Sequence, residues 1–215
     1  MSFPLILQPI PLHPDAVCLY VPDANAVRKA YERGEIAAPY WSQVWPAAKA
    51  LAQFLVLHPE YIAGKNIVEL GAGLGLPSLV AARFANTVLC TDIAPEAVAV
   101  VAESVKYLEL KNVYAKTVDW WHLSETISAD VLLLSDINYE PAAFTQLQKL
   151  VYDFLQRGFL IVLSTPQRLM AKEFVLPLLQ HCSQQEEINV EHKGSLVPTT
   201  VLVLEKKPPQ AQQAT

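Results

Sequence analysis

From Asn66 onward, short apolar runs alternate with segments whose apolar positions recur every three or four residues. Residues 66–70, 87–92 and 131–134 are brief apolar runs, the signature of strands buried on both faces. A further strand is expected at 113–119 and another at 159–163. Between them, a helix is expected near 76–85. Pro95 opens a second helix, with Val98, Val101, Val105 and Leu108 along one face, and a third carries Phe144, Leu147, Val151 and Phe154. Strands alternating with helices demand a parallel sheet covered on both sides.

The two ends of the chain break this rhythm. A helix near 168–181 leads to two strand-like runs, 188–192 and 200–204, with residues 194–198 lying between them. A connection this short permits an antiparallel hairpin but not a parallel crossover. The expected fold is therefore α/β, a doubly wound and mostly parallel sheet closed by a C-terminal antiparallel hairpin. Ahead of it lie a strand at 16–21, a polar helix around 23–34, and a helix over 46–58. This last helix starts with Pro46 and turns Ala47, Leu51, Phe54 and Leu55 toward the sheet, with Trp45 at its entrance. No Gly/Ser linker or charge block divides the chain, so one domain is expected over residues 1–207, with 1–45 as an N-terminal cover and 46–207 as the core. Residues 208–215 read as a disordered tail, since the ending from Lys206 is polar, proline-bearing and aperiodic.

Composition narrows the partners. The formal net charge is −5, and no cluster of Lys and Arg offers a footprint for a phosphate backbone, which excludes nucleic acid as an expected partner. No apolar run approaches the roughly 18 residues of a membrane span, so no membrane association is expected. The start lacks the pattern of a signal peptide, and three widely separated cysteines suit a reduced, cytoplasmic location. The five histidines show no spacing that suits a metal, and no Gly-x-Ser-x-Gly elbow is present.

The chemistry concentrates where strands end. Strand 66–70 runs into Gly71-Ala72-Gly73-Leu74-Gly75, and Asp92 closes the next apolar run. A glycine turn lets backbone approach a ligand closely, and a carboxylate ending the adjacent strand can accept from both ribose hydroxyls, which outlines a nucleoside pocket. A dinucleotide fingerprint needs a glycine five residues after the first, where Leu76 stands instead. The tighter turn favours S-adenosyl-L-methionine, which brings no diphosphate to a helix N-terminus. Glu69 either reaches the amino group of such a cofactor or bonds nearby backbone. Asp119 and Trp120 stand where a carboxylate meets an adenine amino group and an indole covers its face. Ser135, Asp136 and Tyr139 follow the fourth strand, and the Asp and Tyr, three apart, can both face an incoming amine. Tyr139 and Trp41 are expected as its walls.

These pieces resemble the family-16 seven-β-strand methyltransferases, a group of protein-lysine and nicotinamide N-methyltransferase-like enzymes. The resemblance covers about residues 38–205 and rests on Pro39-Tyr-Trp-Ser-Gln-Val-Trp-Pro-Ala47, Val68-Glu-Leu-Gly-Ala-Gly-Leu-Gly75, Thr91-Asp92, Asp119-Trp120 and Asp136-Ile-Asn-Tyr139. It implies a class I methyltransferase Rossmann-like sheet of seven strands and S-adenosyl-L-methionine as cofactor. The contacts it implies are Trp45, Gly71, Ala72, Gly73, Asp92, Trp120 and Ser135 toward the cofactor, with Asp136 and Tyr139 at the acceptor. Where the family often has a small residue and glycine before its aspartate, this chain has Leu134-Ser135. The acceptor implied is a lysine of a protein partner. A small amine or ring nitrogen, or a cofactor-binding interaction protein without turnover, are the alternatives.

Overall fold

The computed structural model describes residues 3–123, 127–167 and 171–206. Seven strands form the main sheet: β3 (Asn66–Leu70), β4 (Thr87–Asp92), β5 (Val113–Thr117), β6 (Val131–Ser135), β7 (Leu160–Pro166), β8 (Cys182–His192) and β9 (Ser195–Leu204). Their spatial order is β5-β4-β3-β6-β7-β9-β8. The five strands from β5 to β7 pair in parallel, while β9 runs antiparallel between β7 and β8. The chain winds outward from β3 in one direction through β4 and in the other through β6, so the strand order reverses between β3 and β6. A crevice opens there beyond the carboxyl ends of the strands.

The unbroken apolar runs have a direct cause. Alternate residues of β6 serve opposite faces: Val131 and Leu133 join one core cluster, Leu132 and Leu134 the other. The first cluster lies under α2 (Pro46–Leu57), α3 (Leu76–Ala81) and α4 (Pro95–Tyr107); the second lies under α5 (Phe144–Gln156) and α6 (Ala171–Val175). All four residues expected on the buried face of α2 and all four expected on α5 are buried. Burying a side chain the size of Leu51 or Phe54 contributes ~1.5–3 kcal/mol, so this packing fixes the layers.

On α4 the expected stripe is rotated. Its fully buried residues are Ala97, Val100, Val101 and Ser104. The reason is a third layer that the pattern along α4 does not encode. An antiparallel hairpin of β1 (Leu5–Pro11) and β2 (Ala16–Pro22), followed by α1 (Ala24–Glu32), packs outside α4. Ser104 Oγ accepts a hydrogen bond from the Tyr20 amide at 2.9 Å, which is why a polar residue is buried in mid-helix. The sequence points to β2 but not to β1, whose Pro9 and Pro11 argue against a strand. Two apart, they leave their missing N–H groups on one edge, and the β1–β2 ladder survives when that edge faces away from β2.

Other boundaries also shift. Helix α3 stops at Ala81, because tight turns at Arg83 and Phe84 bring Asn86 beside Asn66. The helix expected at 168–181 is divided: α6 gives way to a 3₁₀ turn over Leu176–His181 at Pro177, and residues 168–170 lie outside the described residues. The C-terminal hairpin closes more tightly than expected. Lys193 and Gly194, at φ 51° and 79°, form a two-residue turn, and β9 starts at Ser195. Pro198 is thus inside β9, just past Thr199, the last residue paired with β7. The tail expected at 208–215 lies outside the described residues. Among the described residues no helix is long and apolar enough to cross a membrane.

Candidate active site

The crevice at the reversal of strand order holds a cavity of about 1130 Å³. Its floor is the turn from β3 into α3. Gly71 has φ 64°, and a Cβ there would sit 2.7 Å from Cζ3 of the Trp120 ring, so only glycine lets the indole lie on this backbone. Gly75 is the left-handed N-cap of α3, and a Cβ there would meet Val101 at 3.0 Å and Cys90 Sγ at 3.1 Å. The turn is stitched to β4, because the Ala72 amide donates to the Thr91 carbonyl at 2.9 Å.

Asp92 ends β4 beside this turn and is 8% exposed. One carboxylate oxygen accepts from the Gly73 amide at 2.8 Å, the other from the Ala94 amide at 2.9 Å. Each oxygen can accept twice, so the carboxylate orders the turn and keeps acceptor capacity toward the cavity. Burial raises its pKa against the pull of these amides.

Of the two roles expected for Glu69, a cofactor contact or a bond to nearby backbone, the structure favours the second: it is 0% exposed and lies off the cavity lining. One of its oxygens accepts from Ser78, from the amide at 3.0 Å and from the hydroxyl at 2.5 Å, which anchors α3 behind the glycine turn. Its position one residue before the end of β3 gives the reason: alternation along the strand turns this side chain under the loop. Burial pushes the Glu69 carboxyl up to about 8, with Asp92 adding in the same direction. Because the folded value exceeds the ordinary 4.5, the fold binds more protons than the unfolded chain between those values. Stability should therefore fall by a few kcal/mol as pH rises from about 4.5 to 8, and level off above that. Glu69→Gln is expected to flatten this slope in denaturant midpoints measured from pH 5 to 9. An unchanged slope would remove Glu69 as its source.

The remaining expected residues meet at the cavity. Trp45, Gly71, Ala72, Gly73, Asp92 and Trp120 line it, and so do Ser135, Asp136 and Tyr139. Trp45 is the N-cap of α2; its indole Nε1 donates to the Tyr40 carbonyl at 2.7 Å, and its ring stacks on His192. Trp120 opens a 3₁₀ turn capped by Asp119, whose side chain accepts from the Trp121 amide at 3.0 Å. Asp136 is 9% exposed, and its amide donates to Ser164 of β7 at 3.0 Å. It sits at φ 52°, a left-handed conformation that costs a non-glycine residue free energy and recurs at functional sites.

The two residues expected as walls, Trp41 and Tyr139, both line the cavity but are placed differently. Trp41 lines the cavity but is buried, with its ring 6.0 Å from Phe3 and its backbone against Gly73. Tyr40 is the ring that meets Tyr139, at 5.2 Å between centroids. The motif around Pro39 contained Tyr40, yet nothing in its spacing separates it from Trp41. Burial, with Glu140, Tyr40, Asp92 and Asp136 around it, raises the pKa of the Tyr139 phenol.

The lining carries six carboxylates, Glu35, Asp92, Glu96, Asp119, Asp136 and Glu140, and among the described residues no Lys, Arg or His. Such a cavity concentrates cations and repels a diphosphate. Among the described residues no group of three or more His, Cys, Asp or Glu is placed to hold a metal.

Residues 33–181 match the family described as lysine methyltransferase. The chain is 32% identical over 125 residues to the mouse histone-arginine methyltransferase METTL23, covering 55% of this chain and 49% of that protein. It is 28% identical over 183 residues to the electron transfer flavoprotein beta subunit lysine methyltransferase of Xenopus laevis, covering 80% of this chain and 70% of that protein. The chain spans about half the length of the first curated relatives it matches. In fold it is similar to the N-methyltransferase NodS of Bradyrhizobium japonicum in complex with S-adenosyl-L-homocysteine, with a TM-score of 0.60 at 14% identity over 82% of this chain and 97% of that one.

Proposed function

The chain belongs to the lysine methyltransferase family, and from that premise we propose that it is an S-adenosyl-L-methionine-dependent N-methyltransferase acting on a lysine side chain of a protein partner. The observation that carries this reading is the cavity at the strand reversal, where a glycine turn and Asp92 share one acidic space with Asp136 and Tyr139. S-adenosyl-L-methionine fits the residues present. It is cationic at sulfur, it needs the close backbone approach that Gly71 to Gly75 allow, and its ribose hydroxyls match the acceptor capacity left on Asp92. When bound it supplies a methyl group on an already activated sulfonium.

The residues of this chain then have three tasks. Asp92, the glycine turn, Trp45, Trp120 and Ser135 hold the cofactor. Asp136 and Tyr139 would align the acceptor nitrogen for in-line attack on the methyl carbon that the cofactor would supply, the surplus proton of the amine leaving to solvent. Partial burial beside the rings disfavours the ammonium form of an amine whose ordinary pKa is ~10.4, while the Asp136 carboxylate favours it. Asp136 is accordingly a positioning group, not a base. Residues 1–207 act as a single cytoplasmic methyltransferase domain, with residues 1–45 as its cover.

Calorimetry with S-adenosyl-L-homocysteine is the direct test, and absence of binding at high concentration would overturn the reading. Removing the ribose acceptor by Asp92→Ala is expected to weaken that binding by about tenfold or more, the scale of losing hydrogen bonds to a charged group. An unchanged dissociation constant would take Asp92 out of the cofactor site. The acceptor is sought by labelled-methyl transfer into cell lysate, followed by identification of the labelled residue.

A further inference from the structure

We propose that Tyr40 is a specificity-determining residue: with Tyr139 it forms an aromatic aperture beside Asp136 that passes an unbranched alkylamine and turns away a branched one. The inference rests on the methyltransferase reading of the cavity and names what its acceptor side admits.

The two rings come from separate segments, Tyr40 from the 3₁₀ turn after Pro39 and Tyr139 from the loop after β6, and both line the cavity. Their centroids are 5.2 Å apart at a tilt of 41°. Carbon atoms in contact sit ~3.5–4.0 Å apart, so a methylene chain lying between two ring faces needs them about 7–8 Å apart. At the observed spacing the rings touch each other and leave no passage between them. On this proposal the acceptor chain enters by parting them, and a chain of single-methylene width parts them least while keeping contact with both faces. Each branch pushes one ring out of reach.

The parts that hold and the parts that move are also distinct. The backbone of Tyr40 is tied down: its amide donates to Ala38, its carbonyl accepts from the Trp45 indole at 2.7 Å, and Ser42 closes the turn on the Pro39 carbonyl. The rings are far freer, at 58% exposure for Tyr40 and 47% for Tyr139. Opening therefore needs side-chain rotation only, which exposed residues accomplish in picoseconds to nanoseconds. Once inside, the amine head shares the cavity with the Asp136 carboxylate.

The test uses two analogues of the cofactor in which nitrogen replaces the sulfonium. One carries an n-butylamine arm toward the acceptor side; the other carries a gem-dimethyl-branched arm of equal length. Wild-type protein is expected to bind the linear arm at least ~10-fold more tightly, as pockets discriminate by single carbon groups. In Tyr40→Ala the ratio is expected to fall to within about twofold, and Tyr139→Ala, removing the other wall, should do the same. Tyr40→Phe should keep the wild-type ratio, because the ring and not the hydroxyl makes the aperture. Equal affinities in wild-type protein, or a ratio retained in Tyr40→Ala, would overturn the proposal. S-adenosyl-L-homocysteine is titrated alongside: failure of wild-type protein to bind it sinks the functional reading, whereas binding without arm discrimination sinks the aperture alone.

Discussion

Asp136→Asn is expected to cut methyl-transfer turnover by roughly 100-fold, the scale of losing one hydrogen bond to a charged group or misplacing the acceptor. Asparagine is the informative replacement because position 136 is left-handed, at φ 52°, a conformation that Asp and Asn both tolerate. The variant keeps the backbone and removes only the charge. Alanine would add strain of ~1–2 kcal/mol and mix a folding defect with a chemical one. Single-turnover transfer of a labelled methyl group, with cofactor saturating, isolates the step. Wild-type turnover in the variant would show that the acceptor is aligned by other groups.

Gly71→Ala is expected to abolish most cofactor affinity, by at least ~100-fold, and to lower the melting temperature. Two costs combine. A φ of 64° penalises a side chain by ~1–2 kcal/mol, equivalent to several degrees in a chain of this length. The new methyl would also sit 2.7 Å from the Trp120 ring, with Ile137 at 3.6 Å behind it. An indole that yields into the cavity takes the space the cofactor needs. Pairing Gly71→Ala with Trp120→Ala should therefore cost less stability than the sum of the two single changes. Calorimetry and thermal melts read both effects. Simple additivity would show that the ring and the turn do not press on one another.

How legible this was from sequence differs by element. The central strands and α5 were readable because burial on both faces, or along one helical face, leaves a period that nothing else imitates. The position of Asp92 beside the glycine turn was equally plain, since both features end adjacent strands. What the chain hides is whatever depends on distant partners. The rotated face of α4 depends on a hairpin 84 residues upstream at the Tyr20–Ser104 hydrogen bond. The retreat of Glu69 behind the turn depends on Ser78 and on strand alternation, which its place in the motif does not reveal. Tyr40 and Trp41 are neighbours of similar chemistry, and only the packing of Phe3 on one and Tyr139 on the other tells them apart.

The placement of β9 between β7 and β8 carries a consequence for how the protein is made. During synthesis residues 160–166 emerge well before residues 195–204, their partners on that side. Until those later residues arrive, β7 presents an open row of peptide groups on an apolar strand, a template for pairing with other chains. Strand β8, alternating and polar on one side, is made first and cannot fill the gap without displacing its own later neighbour. The nascent chain thus passes through an interval in which its sheet is sticky and unfinished, and heavy expression should send it toward inclusion bodies unless a chaperone covers that edge.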